Sequence, residues 1–148
     1  MSGQIRYLLD INFVSETMKP RPNPGVLAFS QSTDPNSAFI SVLTLGELRK
    51  GVTAKKLRDP DPNAASRLAA WIEGLEIGFS DRILGIDLAI ARLWGEWSAG
   101  RPRPVVDTLL AATAFSNDLT LVTRNIRDVS NIPVKLHNPW TEQAPLTR

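Results

Sequence analysis

Residues 5–16 read Ile-Arg-Tyr-Leu-Leu-Asp-Ile-Asn-Phe-Val-Ser-Glu, a short apolar run that stops at an aspartate. Residues 5–9 are too few for a packed helix and open on a β-branched side chain, so they predict a buried strand with Asp10 at its end. Asn12 then caps a helix over residues 13–18, which Pro20, Pro22 and Pro24 break. A strand that leads straight into a helix suits a parallel sheet. An acid at that junction lies on the edge where such sheets bind ligands.

The pattern recurs along the chain. Residues 24–32 predict a second short helix with proline at its start, and residues 38–42 a second strand. Ser41 or Thr44 caps the helix that follows, where Leu45, Leu48 and Val52 share one stripe and Glu47, Arg49 and Lys50 point elsewhere. Residues 57–63, with Asp59, Pro60, Asp61 and Pro62, form a loop before a helix over 64–75. Residues 83–86 read as a third strand. Asp87 caps a helix to about residue 99 with Leu88, Ala91, Leu93 and Trp94 on its inner side. The loop 100–104 delivers the chain to a helix over 105–117, whose Ala111, Ala112 and Ala114 allow close packing on a sheet. Residues 119–123 form a strand, 124–128 a polar turn, and 134–136 an edge strand. The expectation is one domain over residues 1–148, of the α/β class. Its architecture is three-layer α/β/α with a mainly parallel central sheet of four to five strands.

Four acids, Asp10, Glu47, Asp107 and Asp128, fall at or beside the ends of apolar runs. Asp10, Glu47 and Asp128 follow strands and face one crevice; Asp107, in a first helical turn that favours an anion, joins them when its helix starts at that edge. Carboxylates grouped this way repel and raise each other's pKa unless a divalent cation neutralises them. Metal-dependent phosphodiester chemistry is the leading reading.

Composition bounds the alternatives. The 148 residues are 43% hydrophobic, enough for one core, and carry 17 basic against 15 acidic side chains for a net charge of +2. Setting the four clustered acids aside leaves 11 acidic against the 17 basic groups, a surface suited to a polyanion. The absence of cysteine removes disulfides and thiol chemistry and fits a cytoplasmic protein. No apolar run resembles a signal peptide or reaches the roughly 18 residues of a membrane span, so no membrane partner is expected. With His137 the only histidine, a nucleophilic triad has no base, and no phosphate-cradling glycine loop or zinc-protease motif appears.

Tyr7-Leu8-Leu9-Asp10-Ile11-Asn12-Phe13-Val14-Ser15-Glu16 resembles the opening motif of the VapC-type PIN-domain toxins, LLDTNxxSE. Ser41-Val42-Leu43-Thr44-Leu45-Gly46-Glu47-Leu48 is similar to the second family motif, and Asp107-Thr108-Leu109-Leu110-Ala111-Ala112-Thr113-Ala114 to the third. Leu119-Thr120-Leu121-Val122-Thr123-Arg124-Asn125 with Asp128, then Asn138-Pro139-Trp140, resembles the fourth motif and the closing signature. The resemblance, to the FitB-like subgroup, covers nearly the whole chain. One departure stands out: Ile11 replaces the family's usual threonine.

The resemblance implies a Mg²⁺- or Mn²⁺-dependent endoribonuclease, the toxin of a toxin–antitoxin pair, silenced by a VapB-type antitoxin. The family's acids correspond to Asp10, Glu47, Asp107 and Asp128, with Asn12 and Thr123 as supporting polar groups. Asp10 and Asp107 are assigned as direct metal ligands, Glu47 as ligand or base through water, and Asp128 as an outer or second-metal ligand. Arg101, Arg103 and Arg124, adjacent in sequence to the acidic motifs, are the candidates for RNA phosphates. Lys55, Lys56 and Arg58 form a second basic cluster that also reads as a solvated face. A homodimer is expected, with DNA reached only through the antitoxin, and apolar surface near Val14, Val26 and Leu27 would serve either protein partner.

Structural readings stand beside these. Asp10 and Asp107 suit helix caps, Asp128 a turn, and Glu16 a surface or substrate-side position. Arg124 equally suits a pairing with a carboxylate or a helix terminus. Trp71, Trp94 and Trp97 suit a core or a partner interface, and Trp140 a pin for the C-terminal segment. A catalytically inactive RNA-binding or scaffold domain is the alternative function. A receiver-like phospho-switch is disfavoured, because paired acids after the first strand and a lysine after the last are both missing.

Overall fold

A computed structural model describes residues 4–141. Five strands, β1 (Tyr7–Leu9), β2 (Ala38–Ser41), β3 (Ile83–Leu84), β4 (Thr120–Val122) and β5 (Leu136–His137), form one sheet in the order β3-β2-β1-β4-β5. Every pairing is parallel, with Tyr7 opposite Ala38 on one side and Thr120 on the other. Six helices join or flank the strands: α1 (Ile11–Thr17), α2 (Pro24–Ser32), α3 (Val42–Arg58), α4 (Ala64–Gly78), α5 (Leu88–Ser98) and α6 (Val105–Ser116).

The period of two along each strand divides the apolar side chains between two cores. Leu9, Ile40 and Val122 enter the core that α1–α4 close with Phe13, Val26, Phe29, Leu48 and Ile72. Leu8, Phe39 and Leu121 enter the opposite core, closed by Leu110, Ala111 and Ala114 of α6 and Trp97 of α5. Layers of α, β and α therefore follow from alternation alone. Leu8, Ile40 and Ile72 are fully buried, and truncating any of them to alanine costs about 2–5 kcal/mol.

Several boundaries differ from the sequence reading. Asp10, not Asn12, caps α1, because the helix begins one residue beyond the strand-end acid. β2 stops at Ser41, whose hydroxyl caps α3 by accepting from the Leu43 N–H at 3.0 Å. α3 continues to Arg58 with Lys55, Lys56 and Arg58 in its last turn, where cations complement the helix dipole, so the loop starts only at Asp59. The final strand is displaced to Leu136–His137.

The faces of the short helices also differ. In α5 Ile90 is the buried residue, while Leu88 and Ala91 lie exposed, since Asp87 caps the helix with the Ile90 N–H and turns that residue inward. Val14 and Val26 belong to the core, so of the apolar partner surface expected there only Leu27 is exposed. Glu16 is buried, not surface. Its carboxylate binds the Lys19 ammonium at 2.9 Å and the Asn23 N–H at 2.9 Å, locking α1 to the start of α2.

Candidate active site

From β1 the chain moves outward through β2 to β3, whereas β4 and β5 lie on the other side. The gap beyond the carboxyl ends of β1 and β4 is thus the switch point at which open parallel sheets bind ligands. Asp10 leaves β1 and Thr123 leaves β4 into that gap.

Asp10 is 3% exposed. Its carboxylate accepts from the Phe13 N–H at 2.8 Å, and the Asn12 N–H and the Thr123 hydroxyl also donate to it. Thr123 Oγ1 in turn accepts from the Asn125 N–H at 3.0 Å, which leaves the hydroxyl hydrogen for Asp10. Burial pushes the Asp10 carboxyl above its ordinary range; these donors and the Arg124 charge oppose that rise without cancelling it. Ile11 packs against the α1–α4 core and points its side chain into apolar surroundings. Support for Asp10 comes instead from Thr123.

Asp107 sits in the first turn of α6, whose N-cap, Pro104, offers no capping side chain. The Thr108 hydroxyl closes that turn by donating to Pro104 O at 2.7 Å, and an anion at Asp107 complements the helix N-terminus. Its carboxyl is nevertheless pushed up, first by burial and then by Asp128, Asp10 and Glu47. Three acids drawn from α1's cap, α3 and the 3-10 turn Ile126–Val129 therefore act on Asp107 of α6 across a single crevice. Glu47 and Asp128 are both half-buried at its rim.

The cluster is not a closed cage. Among the described residues no three acidic or histidine side chains stand at the spacing of a complete metal-ligand set. Magnesium keeps several waters and uses one or two carboxylates plus substrate phosphate, so an open group of hard oxygen donors fits it. The mutual repulsion recorded at Asp107 is what a divalent cation would relieve.

The three arginines divide. Arg103 donates from Nε to Trp97 O at 2.8 Å and from Nη1 to Ser130 O at 3.3 Å, and Arg101 donates from Nη2 to the same Ser130 carbonyl at 3.3 Å. Both tie the loop before α6 to the turn that carries Asp128. Arg124 is exposed, with its guanidinium 5.4 Å over the Trp140 ring, and its charge reaches Asp10 and Glu16. Lys55, Lys56 and Arg58 lie two or more turns beyond Glu47 along α3, and Lys55 pairs with Asp59 at 3.5 Å. Asn12 is half-buried and contributes its backbone N–H to Asp10.

Two features escaped the sequence reading. Thr44 in the first turn of α3 is 1% exposed with no hydrogen-bond partner for its hydroxyl among the described residues. Trp140 holds Arg124, a contact that separation in sequence conceals.

The family model described as PIN domain matches residues 7–134. The chain is 33% identical over 139 residues to Toxin FitB of Neisseria gonorrhoeae, covering 90% of this chain and 97% of that protein. It is 27% identical over 139 residues to VapC ribonuclease Y4jK of Sinorhizobium fredii, covering 90% and 96%. The crystal structure of FitAcB from Neisseria gonorrhoeae superposes with a TM-score of 0.80 at 30% identity, covering 92% of this chain and 99% of that one. Among the described residues no helix is long and apolar enough to cross a membrane.

Proposed function

The chain belongs to the PIN-domain family, and from that premise we propose that it is a Mg²⁺- or Mn²⁺-dependent endoribonuclease, the toxin of a toxin–antitoxin pair. The carrying observation is the Asp107 carboxyl, pushed up by burial and then by three other acids in a crevice at the switch point of the sheet. The names of relatives, a toxin and a ribonuclease, support the same reading.

Asp10 and Asp107 are the residues to hold the cation, the first fixed by its helix cap and Thr123, the second by the α6 terminus. The bound cation supplies Lewis acidity and positive charge at the phosphate. Glu47, half-buried at the rim, accepts the proton of the attacking water as its oxygen bonds to phosphorus and the ester P–O bond breaks, the departing oxygen keeping the bond's electron pair and taking a proton from solvent water. Asp128, half-buried beside Asp107, serves as an outer or second-metal ligand. Arg124 holds a flanking phosphate, and no protein nucleophile takes part.

The partners that suit this reading are single-stranded RNA, a VapB-type antitoxin, a second copy of the chain, and DNA only through the antitoxin. The setting is the cytoplasm. Labelled RNA incubated with purified chain should yield internal cuts with Mg²⁺ or Mn²⁺ and none with EDTA. Asp10→Asn and Asp107→Asn should yield none in either case; undiminished cutting by both variants would reject the assignment.

A further inference from the structure

Arg124 is an unusual cation for its surroundings. It follows Thr123 directly, so β4 delivers it to the same crevice as Asp10, and its charge acts on both Asp10 and Glu16. Yet among the described residues it makes no ion pair within 4.0 Å and no hydrogen bond. Its fixed contact is the face of Trp140. Five N–H donors are left open to an incoming anion.

Trp140 itself is anchored on several sides. Its ring meets Phe13 edge-on at a centroid distance of 6.3 Å and packs on the α1–α4 core, and its backbone N–H donates to Asn138 Oδ1 at 3.0 Å. Phe13 is the residue whose N–H donates to the capping carboxylate of Asp10. The ring that carries the guanidinium is thereby registered to the same turn of backbone that holds the carboxylate. A guanidinium on an aromatic face keeps its plane while losing little freedom, and a planar fork presents two parallel donors to one phosphate.

We propose that Trp140 is a positioning residue for the RNA site: its ring orients Arg124 so that the guanidinium grips a phosphate next to the one cleaved. This rests on the ribonuclease reading for its substrate, yet it concerns binding, which is measured apart from cleavage. Arg124 then faces the strand, while Asp10 stays turned toward the acidic crevice. Loss of the ring leaves the charge in place but lets it wander toward Asp10 and Glu16.

The test is a double-mutant cycle on Trp140→Leu and Arg124→Gln in the full chain, read by fluorescence anisotropy with a single-stranded oligoribonucleotide in EDTA. Each single variant should bind about tenfold more weakly, and the double variant no worse than either one. Trp140→Phe should recover most of the affinity lost in Trp140→Leu, and Arg124→Lys should not substitute for arginine. With metal restored, the loss should appear in KM more than in kcat. Additive losses, or a Trp140→Leu variant with lowered Tm but wild-type affinity, would overturn the proposal, as would wild-type chain that binds no oligonucleotide. Binding with the predicted coupling but no cleavage would retain the Arg124 seat and defeat the ribonuclease reading instead.

Discussion

The carboxyls of Asp107 and Asp128 lie close enough to share a proton, although one belongs to the first turn of α6 and the other to a 3-10 turn after β4. Two ionised groups cannot share a hydrogen bond, so burial first and Asp128 next push the Asp107 carboxyl above the ordinary carboxylate range. A site built this way holds repulsion that a bound cation would relieve.

Stability of the metal-free chain should therefore depend on pH in a definite direction. Asp107 binds its proton more tightly folded than unfolded, so its contribution is greatest at low pH and is lost as pH rises from 3.8 through the raised folded value. Glu16 and Asp61, whose carboxyls are held below their ordinary range by Lys19 and Arg67, lose their contributions in the opposite sense, at lower pH. Thermal unfolding in EDTA across this range should show a falling Tm in the upper window for wild type and a flatter one for Asp107→Asn.

Removing the charge should help the fold while ending the chemistry. Asp107→Asn is expected to raise the Tm of metal-free protein and to lose detectable RNA cleavage. Added Mn²⁺ at a hundred times its dissociation constant should stabilise wild type by about 2.7 kcal/mol and leave the variant unmoved. A variant that is both less stable without metal and stabilised by it would contradict the electrostatic basis of the site.

Asp10 has two jobs that substitution separates. Asparagine caps helices as well as aspartate, so Asp10→Asn should fold normally and fail in cleavage. Asp10→Ala forfeits the bond to the Phe13 N–H as well and should lose about 1 kcal/mol of stability. Equal Tm values for the two variants would show that the cap contributes nothing.

Arg103 should behave as a strap. Its donors are engaged by Trp97 O and Ser130 O, so Arg103→Ala should lower stability by about 1–3 kcal/mol and slow cleavage through a displaced Asp128. Oligonucleotide affinity in EDTA should change little. A large loss of affinity at unchanged Tm would assign this arginine to RNA.

Most of the sheet was legible because β1, β2 and β4 are short apolar runs ended by a polar residue, and their parallel direction follows from the helices between strands. Asp10, Glu47 and Asp128 were legible for the same reason: each follows a strand, and parallel strands end on one edge. Asp107 depended on where α6 begins, which periodicity leaves open. Short helices hid more. In the seven residues of α1 a stripe is barely defined, and Val14, expected on the surface, turned into the core together with Glu16. The metal reading also assumed carboxylates gathered as ligands, whereas the described side chains form an open crevice. Sequence gives neighbours along the chain, so Arg103 looked like a phosphate contact and the Arg124–Trp140 stack stayed hidden.

The most direct test of the carboxylate crevice is Mn²⁺ titration calorimetry on wild type, Asp10→Asn, Asp107→Asn and Asp128→Asn in buffers of different ionisation heat. At a pH between the ordinary carboxylate value and the raised one of Asp107, wild type should bind Mn²⁺ and release a proton as Asp107 ionises, and Asp107→Asn should lose both the affinity and the proton. Equal binding by all four proteins, or binding by wild type with no proton released, would contradict it.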